Sequence, residues 1–265
     1  MQYHSTRDKS ISVSSAEAIK TGLSAEGGLF VPESFPSVSL DEIKNLASKS
    51  YNERAYFVLS KFLSDFTEEE LKKCIDSAYT KEKFETESIA PVYKLNDTTY
   101  FLELWHGPTC AFKDMALQIL PHLLTTSMKK TNEDKEIVIL VATSGDTGKA
   151  ALEGFKDVAG TRIIVFYPDN GVSEIQKLQM VTQEGNNVSV AAVKGNFDDA
   201  QTDVKRMFND VALREKLLAH KTQFSSANSM NVGRLVPQVV YYVYAYAQLV
   251  KAGYIKAGEK VNFTV

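Results

Sequence analysis

The stretch Glu136-Ile137-Val138-Ile139-Leu140-Val141-Ala142-Thr143-Ser144-Gly145-Asp146-Thr147-Gly148-Lys149 runs from continuous apolar residues into a glycine-punctuated polar turn. Ile137–Ala142 predicts a strand buried on both faces, and Gly148–Val158 predicts the helix that follows it. The same texture repeats downstream. Arg162–Phe166 and Val188–Val193 read as strands, while Ser173–Glu184 and Asp198–Phe208 read as helices. Apolar strands separated by helices of this length build a parallel sheet with both faces covered. Right-handed crossovers connect such strands. The fold class is therefore α/β, doubly wound.

Upstream the pattern is different. Residues 1–90 read as mainly helical, with apolar residues at helical spacing over Leu40–Ser50 and Glu53–Asp65. Thr67 precedes Glu68-Glu69-Glu70, the signature of a capped helix start. Leu29-Phe30-Val31 predicts a short strand stopped at Pro32, and Tyr100–Leu104 another, broken by His106-Gly107-Pro108. A helix is expected from about Phe112, with Pro121 bending or dividing it. Downstream of the alternating region, Ser225–Ser229 reads as a polar turn before a tyrosine-rich helix that ends near Lys251. Lys260–Val265 reads as a final strand. An α/β sheet seldom ends on a strand, so the natural protein is expected to continue.

Composition narrows the function. The 265 residues carry a net charge of −3 from 30 basic and 33 acidic side chains, which gives no electrostatic reason for a nucleic-acid or membrane partner. Cys74 and Cys110 are the only cysteines, too few for a disulfide framework and compatible with a reducing compartment. The opening residues lack the apolar run of a secretory signal. Leu235–Val250 is interrupted by Pro237, Gln238 and Gln248, too polar for a bilayer span. A cytoplasmic location is the expectation, and monomer or homodimer stays open.

Three clusters carry chemistry, each where α/β proteins place ligands, beyond strand ends. In the first, Glu103–Asp114, Lys113 follows a constrained loop about one turn into a helix among apolar neighbours. Burial that disfavours an ammonium makes an amine a better nucleophile for an aldehyde. The alternative is a surface lysine beside Asp114. In the second, Ala142–Lys149, hydroxyls and amides at a helix start suit a carboxylate or phosphate. It fits neither the Walker nor the dinucleotide glycine pattern. Simple capping by Asp146 or Thr147 is the alternative there. In the third, Ser225–Arg234, an arginine with Ser and Asn donors makes a plausible clamp for a phosphate monoester. A well-capped helix with a solvated arginine is the alternative.

Other features weigh less. In Gly195-Asn196-Phe197-Asp198 a single glycine is a poor phosphate cradle, and Asp198 reads as a helix N-cap. His106 and Cys110 lack an identifiable third group for a thiol nucleophile. The four histidines show no metal-ligand spacing, so no metal is expected.

Together these segments resemble threonine synthase, a fold-type-II pyridoxal-phosphate enzyme related to the tryptophan synthase β chain. The resemblance runs through Tyr3, Ser5-Thr6-Arg7, Glu17-Ala18, Gly22-Leu23 and Gly27–Pro32. It continues through His106–Thr109, Ala111–Asp114, Thr143–Gly148, Gly195–Asp199 and Ser226–Asn231. It implies pyridoxal 5′-phosphate as cofactor, with Lys113 as the Schiff-base lysine and proton shuttle and Phe112 near the cofactor ring. Ser144, Asp146 and Thr147 would contact the substrate carboxylate or the cofactor's ring oxygen. Related enzymes often have Asn where Asp146 stands. Asn228, Ser229 and Arg234 would hold the substrate phosphate. Cys110 and Asp8 depart from residues more usual in the family, and neither is a proposed catalytic group.

The implied reaction turns O-phospho-L-homoserine and water into L-threonine and phosphate. The family's glycine-rich cofactor-phosphate loop should follow a strand like Val261–Val265, so the large domain is expected to be incomplete and the chain weak in cofactor binding and activity. The expected organisation is an N-terminal helical region over 1–95, a smaller α/β domain over 130–222, and a large cofactor domain formed by 96–129 and 223–265. The rivals are a serine or threonine dehydratase or β-replacement synthase of the same fold type, a non-catalytic amino-acid-phosphate-binding module, and a nucleotide-binding domain.

Overall fold

The computed structural model describes residues 1–265. Short elements open the chain: β1 (Tyr3–Ser5), β2 (Ser12–Val13), α1 (Ser15–Thr21) and β3 (Phe30–Pro32). These three strands pair antiparallel in the order β2-β1-β3. Helices α2 (Leu40–Leu46), α3 (Tyr51–Phe62) and α4 (Glu68–Ala78) follow. Each begins with a reciprocal capping box, Ser39 with Glu42, Ser50 with Glu53 and Thr67 with Glu70. A capping box satisfies two backbone amides that the first helical turn leaves free. The early region is thus helical as expected, with a small sheet added.

The hairpin β4 (Val92–Lys94) and β5 (Tyr100–Leu102) leads to α5 (Asp114–Leu117) and α6 (Leu120–Lys130). The expected division at Pro121 is present, with that proline in the first turn of α6, where its missing amide costs nothing. Lys113 precedes α5 as its N-cap residue, so it stands at the helix start rather than one turn inside.

The alternating region then supplies β6 (Glu136–Ala142), α7 (Asp146–Phe155), β7 (Thr161–Pro168), α8 (Glu174–Val181), β8 (Val188–Val193), α9 (Phe197–Asn209), α10 (Val211–Ala219), β9 (Thr222–Ser226) and α11 (Val232–Lys251). All four strands are parallel, in the order β8-β7-β6-β9. Side chains alternate across β6. Ile137, Ile139 and Val141 join the main core with Ala150, Ala151, Leu152 and Phe155 of α7. Val138, Leu140 and Ala142 pack beneath Ala200 and Val204 of α9 on the other face. Both faces are covered, as a doubly wound sheet requires.

Three local readings are corrected and one helix is added. Asn196, not Asp198, caps α9, through a capping box with Asp199 three residues on. Ser225 and Ser226 lie in strand β9 rather than a turn, because β6 supplies a backbone ladder from Glu136↔Thr222 to Leu140↔Ser226. Val211–Ala219 is a helix that the apolar spacing did not show. Residues 260–265 form no strand, since no neighbouring strand offers them a ladder. No helix is long and apolar enough to cross a membrane.

The lysine–carboxylate site at the strand ends

Because β6 and β9 are parallel neighbours, their carboxyl ends open side by side. The turn after β6 enters α7, and the turn after β9 enters α11. Asn228 bridges the two, its Nδ2 donating to the Ala142 carbonyl at 3.3 Å. The Asn228 Oδ1 is buried without a partner. A buried acceptor left unpaired is costly, so it marks a place for a donor.

The first turn is shaped by Thr143, whose side chain is buried. Its Oγ1 accepts from the Gly145 and Gly148 amides at 3.0 and 2.9 Å and donates to the Gly145 carbonyl at 3.0 Å. Gly145 has φ +148°, a conformation that side-chain-bearing residues rarely adopt. Thr143 therefore caps this turn; the side chains of Asp146 and Thr147 do not. The Asp146 and Thr147 amides find no acceptor in the protein. Two free amides at the start of a helix attract an anion. Ser144 is exposed and Thr147 half-buried beside them.

Lys113 reaches this turn from the loop after β5. Its Nζ donates to Asp146 Oδ2 at 2.6 Å and lies 4.4 Å from the centre of the Phe112 ring. The lysine side chain is 19% exposed, so the amine is sheltered yet reachable. A carboxylate stands where apolar surroundings were expected. Asp114, the neighbour in sequence, is fully buried and bonds Thr109 instead.

Arg234 lies in the first turn of α11 and is buried. Its Nη1 donates to the Lys113 carbonyl at 3.2 Å, while Nε has no partner. Burial pushes the guanidinium down to about 10, against the opposing pull of Tyr241, Asp146 and Asp114. It is therefore no solvated surface arginine. The structure brings Lys113, Phe112, Asp146, Arg234 and Asn228 together with the Ser144–Thr147 turn. Ser229 sits on the exposed side of its loop and makes no hydrogen bond through its side chain.

His106 hydrogen-bonds Glu103 at 2.7 Å rather than Cys110, which is exposed. No group of three or more His, Cys, Asp or Glu side chains is arranged around a metal site. Two positioning pairs escaped the sequence reading, Thr109 with Asp114 and Thr143 with its own turn. Their only signal was the spacing of hydroxyl and partner, which is common by chance.

The fold and these residues define an α/β protein with a sheltered lysine paired to a carboxylate at the carboxyl ends of parallel strands. The family described as "Threonine synthase N terminus" matches residues 2–79. Threonine synthase from Pseudomonas aeruginosa is 39% identical over 250 residues, which cover 94% of this chain and 51% of the relative. Human "Threonine synthase-like 1" is 41% identical over 259 residues, covering 94% of this chain and 34% of the relative. The crystal structure described as pyridoxal-phosphate-bound threonine synthase from Brucella melitensis superposes with a TM-score of 0.83. It is 36% identical and covers 94% of this chain and 52% of its own. By sequence and by fold, the chain corresponds to the N-terminal half of the threonine-synthase family. It spans about half the length of the threonine synthases it matches.

Proposed function

We propose that this chain carries the lysine-bearing part of a threonine synthase site, in which Lys113 holds pyridoxal 5′-phosphate and the substrate is O-phospho-L-homoserine. The observation that carries this reading is the sheltered Lys113 amine, paired with Asp146 beside the anion-attracting start of α7. The residues present fit such a cofactor. An aldehyde needs an amine at the end of a mobile stem, and Lys113 supplies it. An aromatic ring needs a flat apolar neighbour, which Phe112 supplies. A ring hydroxyl needs an acceptor, and Asp146 and the unpaired Asn228 Oδ1 are available. When bound, the cofactor supplies an electron sink for charge that develops at the substrate's Cα.

The chain's own groups do the rest. Lys113 Nζ holds and moves the proton at the substrate's Cα, and Asp146 keeps that nitrogen in place between turns of the cycle. Ser144, Thr147 and the free amides of α7 take the substrate carboxylate. Ser229, Arg234 and the second N–H of the Asn228 amide take the phosphate, leaving the Asn228 Oδ1 for the ring hydroxyl. Negative charge gathers on that phosphate as its bond to Cγ breaks, and a buried guanidinium with a free Nε stabilises it. A Cβ proton is removed as the phosphate leaves, a proton is returned to Cγ, water adds at Cβ and the Cα proton is replaced, so the net change is O-phospho-L-homoserine and water to L-threonine and phosphate. The dehydratase, β-replacement and silent-module readings draw no support from the relatives, whose names are threonine synthase and threonine synthase-like 1.

We assign residues 130–222 to a smaller α/β domain, with 96–129 and 223–265 in the larger cofactor domain and 1–95 as the N-terminal region. The location proposed is cytoplasmic. The test offers the protein O-phospho-L-homoserine, L-serine and L-threonine with pyridoxal phosphate. Threonine and phosphate should form from the first alone, weakly with these 265 residues by themselves and fully in a longer protein that contains them. Keto acid from serine or threonine would instead establish a dehydratase.

A further inference from the structure

Asp114 has no exposed surface, and its carboxylate turns back along the chain rather than outward. Oδ2 accepts the Thr109 amide at 2.8 Å, and Oδ1 accepts the Thr109 hydroxyl at 2.7 Å. The pair closes a loop of Thr109, Cys110, Ala111, Phe112 and Lys113. Gly107 seals its base: a Cβ there would lie 2.6 Å from the Cβ of Asp114, leaving room for no larger residue. Inside the loop Cys110 is held at φ +56°, which an unclosed chain would relax. On the helix side, the Lys113 carbonyl accepts the Ala116 and Leu117 amides as well as Arg234 Nη1. The peptide that carries the reactive side chain is thus gripped before and after.

We infer that Thr109 and Asp114 are positioning residues for Lys113, acting through the closed loop to hold its amine on Asp146 and beside the Phe112 ring. The inference deepens the reading of Lys113 as the cofactor lysine and rests on it for its functional meaning. The clamp itself is independent of any ligand. Its bonds bear on a nucleophile carried by the adjacent residue because a carboxylate that is hydrogen-bonded and buried has one geometry available.

The variants are Thr109→Val, which removes the hydroxyl bond at nearly constant volume, and Thr109→Ser, which restores it. Asp114→Asn is the second lesion, should Thr109→Val fold poorly. Trace acetylation with acetic anhydride, followed by peptide mapping, reads how free the Lys113 amine is, with Lys149 as internal standard. Reductive trapping with pyridoxal phosphate and borohydride reads its reaction with the cofactor. Thr109→Val should raise Lys113 acetylation at least threefold and lower its pyridoxylation about tenfold, while Thr109→Ser stays near the parent. Unchanged acetylation of Lys113 in Thr109→Val and Asp114→Asn would overturn the clamp. If the parent takes no pyridoxyl group at Lys113, the cofactor reading falls, and the acetylation comparison still decides the clamp.

Discussion

Lys113 Nζ and Asp146 Oδ2 meet at 2.6 Å across 33 residues of sequence. The contact joins the start of α5 to the start of α7, so two loops that end different strands share one charged centre. Its value lies in placement more than in stability. The Asp146 side chain is 43% exposed, and solvent screens such a pair. Lys113→Met should therefore cost about 1 kcal/mol or less in urea unfolding and abolish pyridoxylation of the site. A loss of several kcal/mol would show that the lysine is a structural member of the core.

Arg234 is placed to grip a phosphate with its free Nε while its Nη1 stays on the Lys113 carbonyl. A lysine supplies a point charge and cannot make both contacts. In Arg234→Lys, O-phospho-L-homoserine should protect Lys113 from trapping at least tenfold less effectively, whereas L-homoserine should act equally on both proteins. Equal protection by the phosphorylated substrate would remove Arg234 from the phosphate site.

Arg54 is the largest side chain with no exposed surface. It holds three carbonyls, Leu46 at 2.7 Å, Ala47 at 2.9 Å and Tyr244 at 3.3 Å, and lies over the Tyr244 ring. It closes the end of α2 and ties that end to α11, whose first turn carries Arg234. Arg54→Ala leaves a void and buried carbonyls without donors, so a loss of about 3 kcal/mol is expected. Denaturant titration checks this, and a loss below 1 kcal/mol would contradict it.

Burial, aided by Lys83, pushes the His122 imidazole from 6.5 to about 4. In the unfolded chain the ring takes up a proton first as pH falls, so the folded state loses this contribution between 6.5 and about 4 and keeps it above. Unfolding free energies of the parent and His122→Gln, compared from pH 7.5 down to pH 4, should draw together as pH falls below 6.5. A constant difference between them across that range would contradict the assignment.

How far the sequence revealed this arrangement depended on where each element draws its stability. Strand β6 and its neighbours were legible because continuous apolar runs have few other homes, and Thr67 with its acidic run because capping is local. Strand β9 was not, since Thr222, Gln223, Ser225 and Ser226 carry no apolar signal and the ladder comes from β6. Residues 260–265 erred the other way: alternation suggested a strand, but a strand needs a partner. Helix α10 buries no residue, so it has no apolar face to read. At the site, the sequence named Lys113, Phe112, Asp146, Asn228 and Arg234 by resemblance. It could not pair Lys113 with Asp146 over Asp114, because that choice depends on the loop that Thr109 closes.

The most direct test of the central claim is peptide mass mapping after treatment with pyridoxal phosphate and borohydride. The account predicts a single reduced pyridoxyl group, on Lys113, that is lost in Lys113→Met. A protein with no specific adduct, or with the adduct on another lysine, would contradict it.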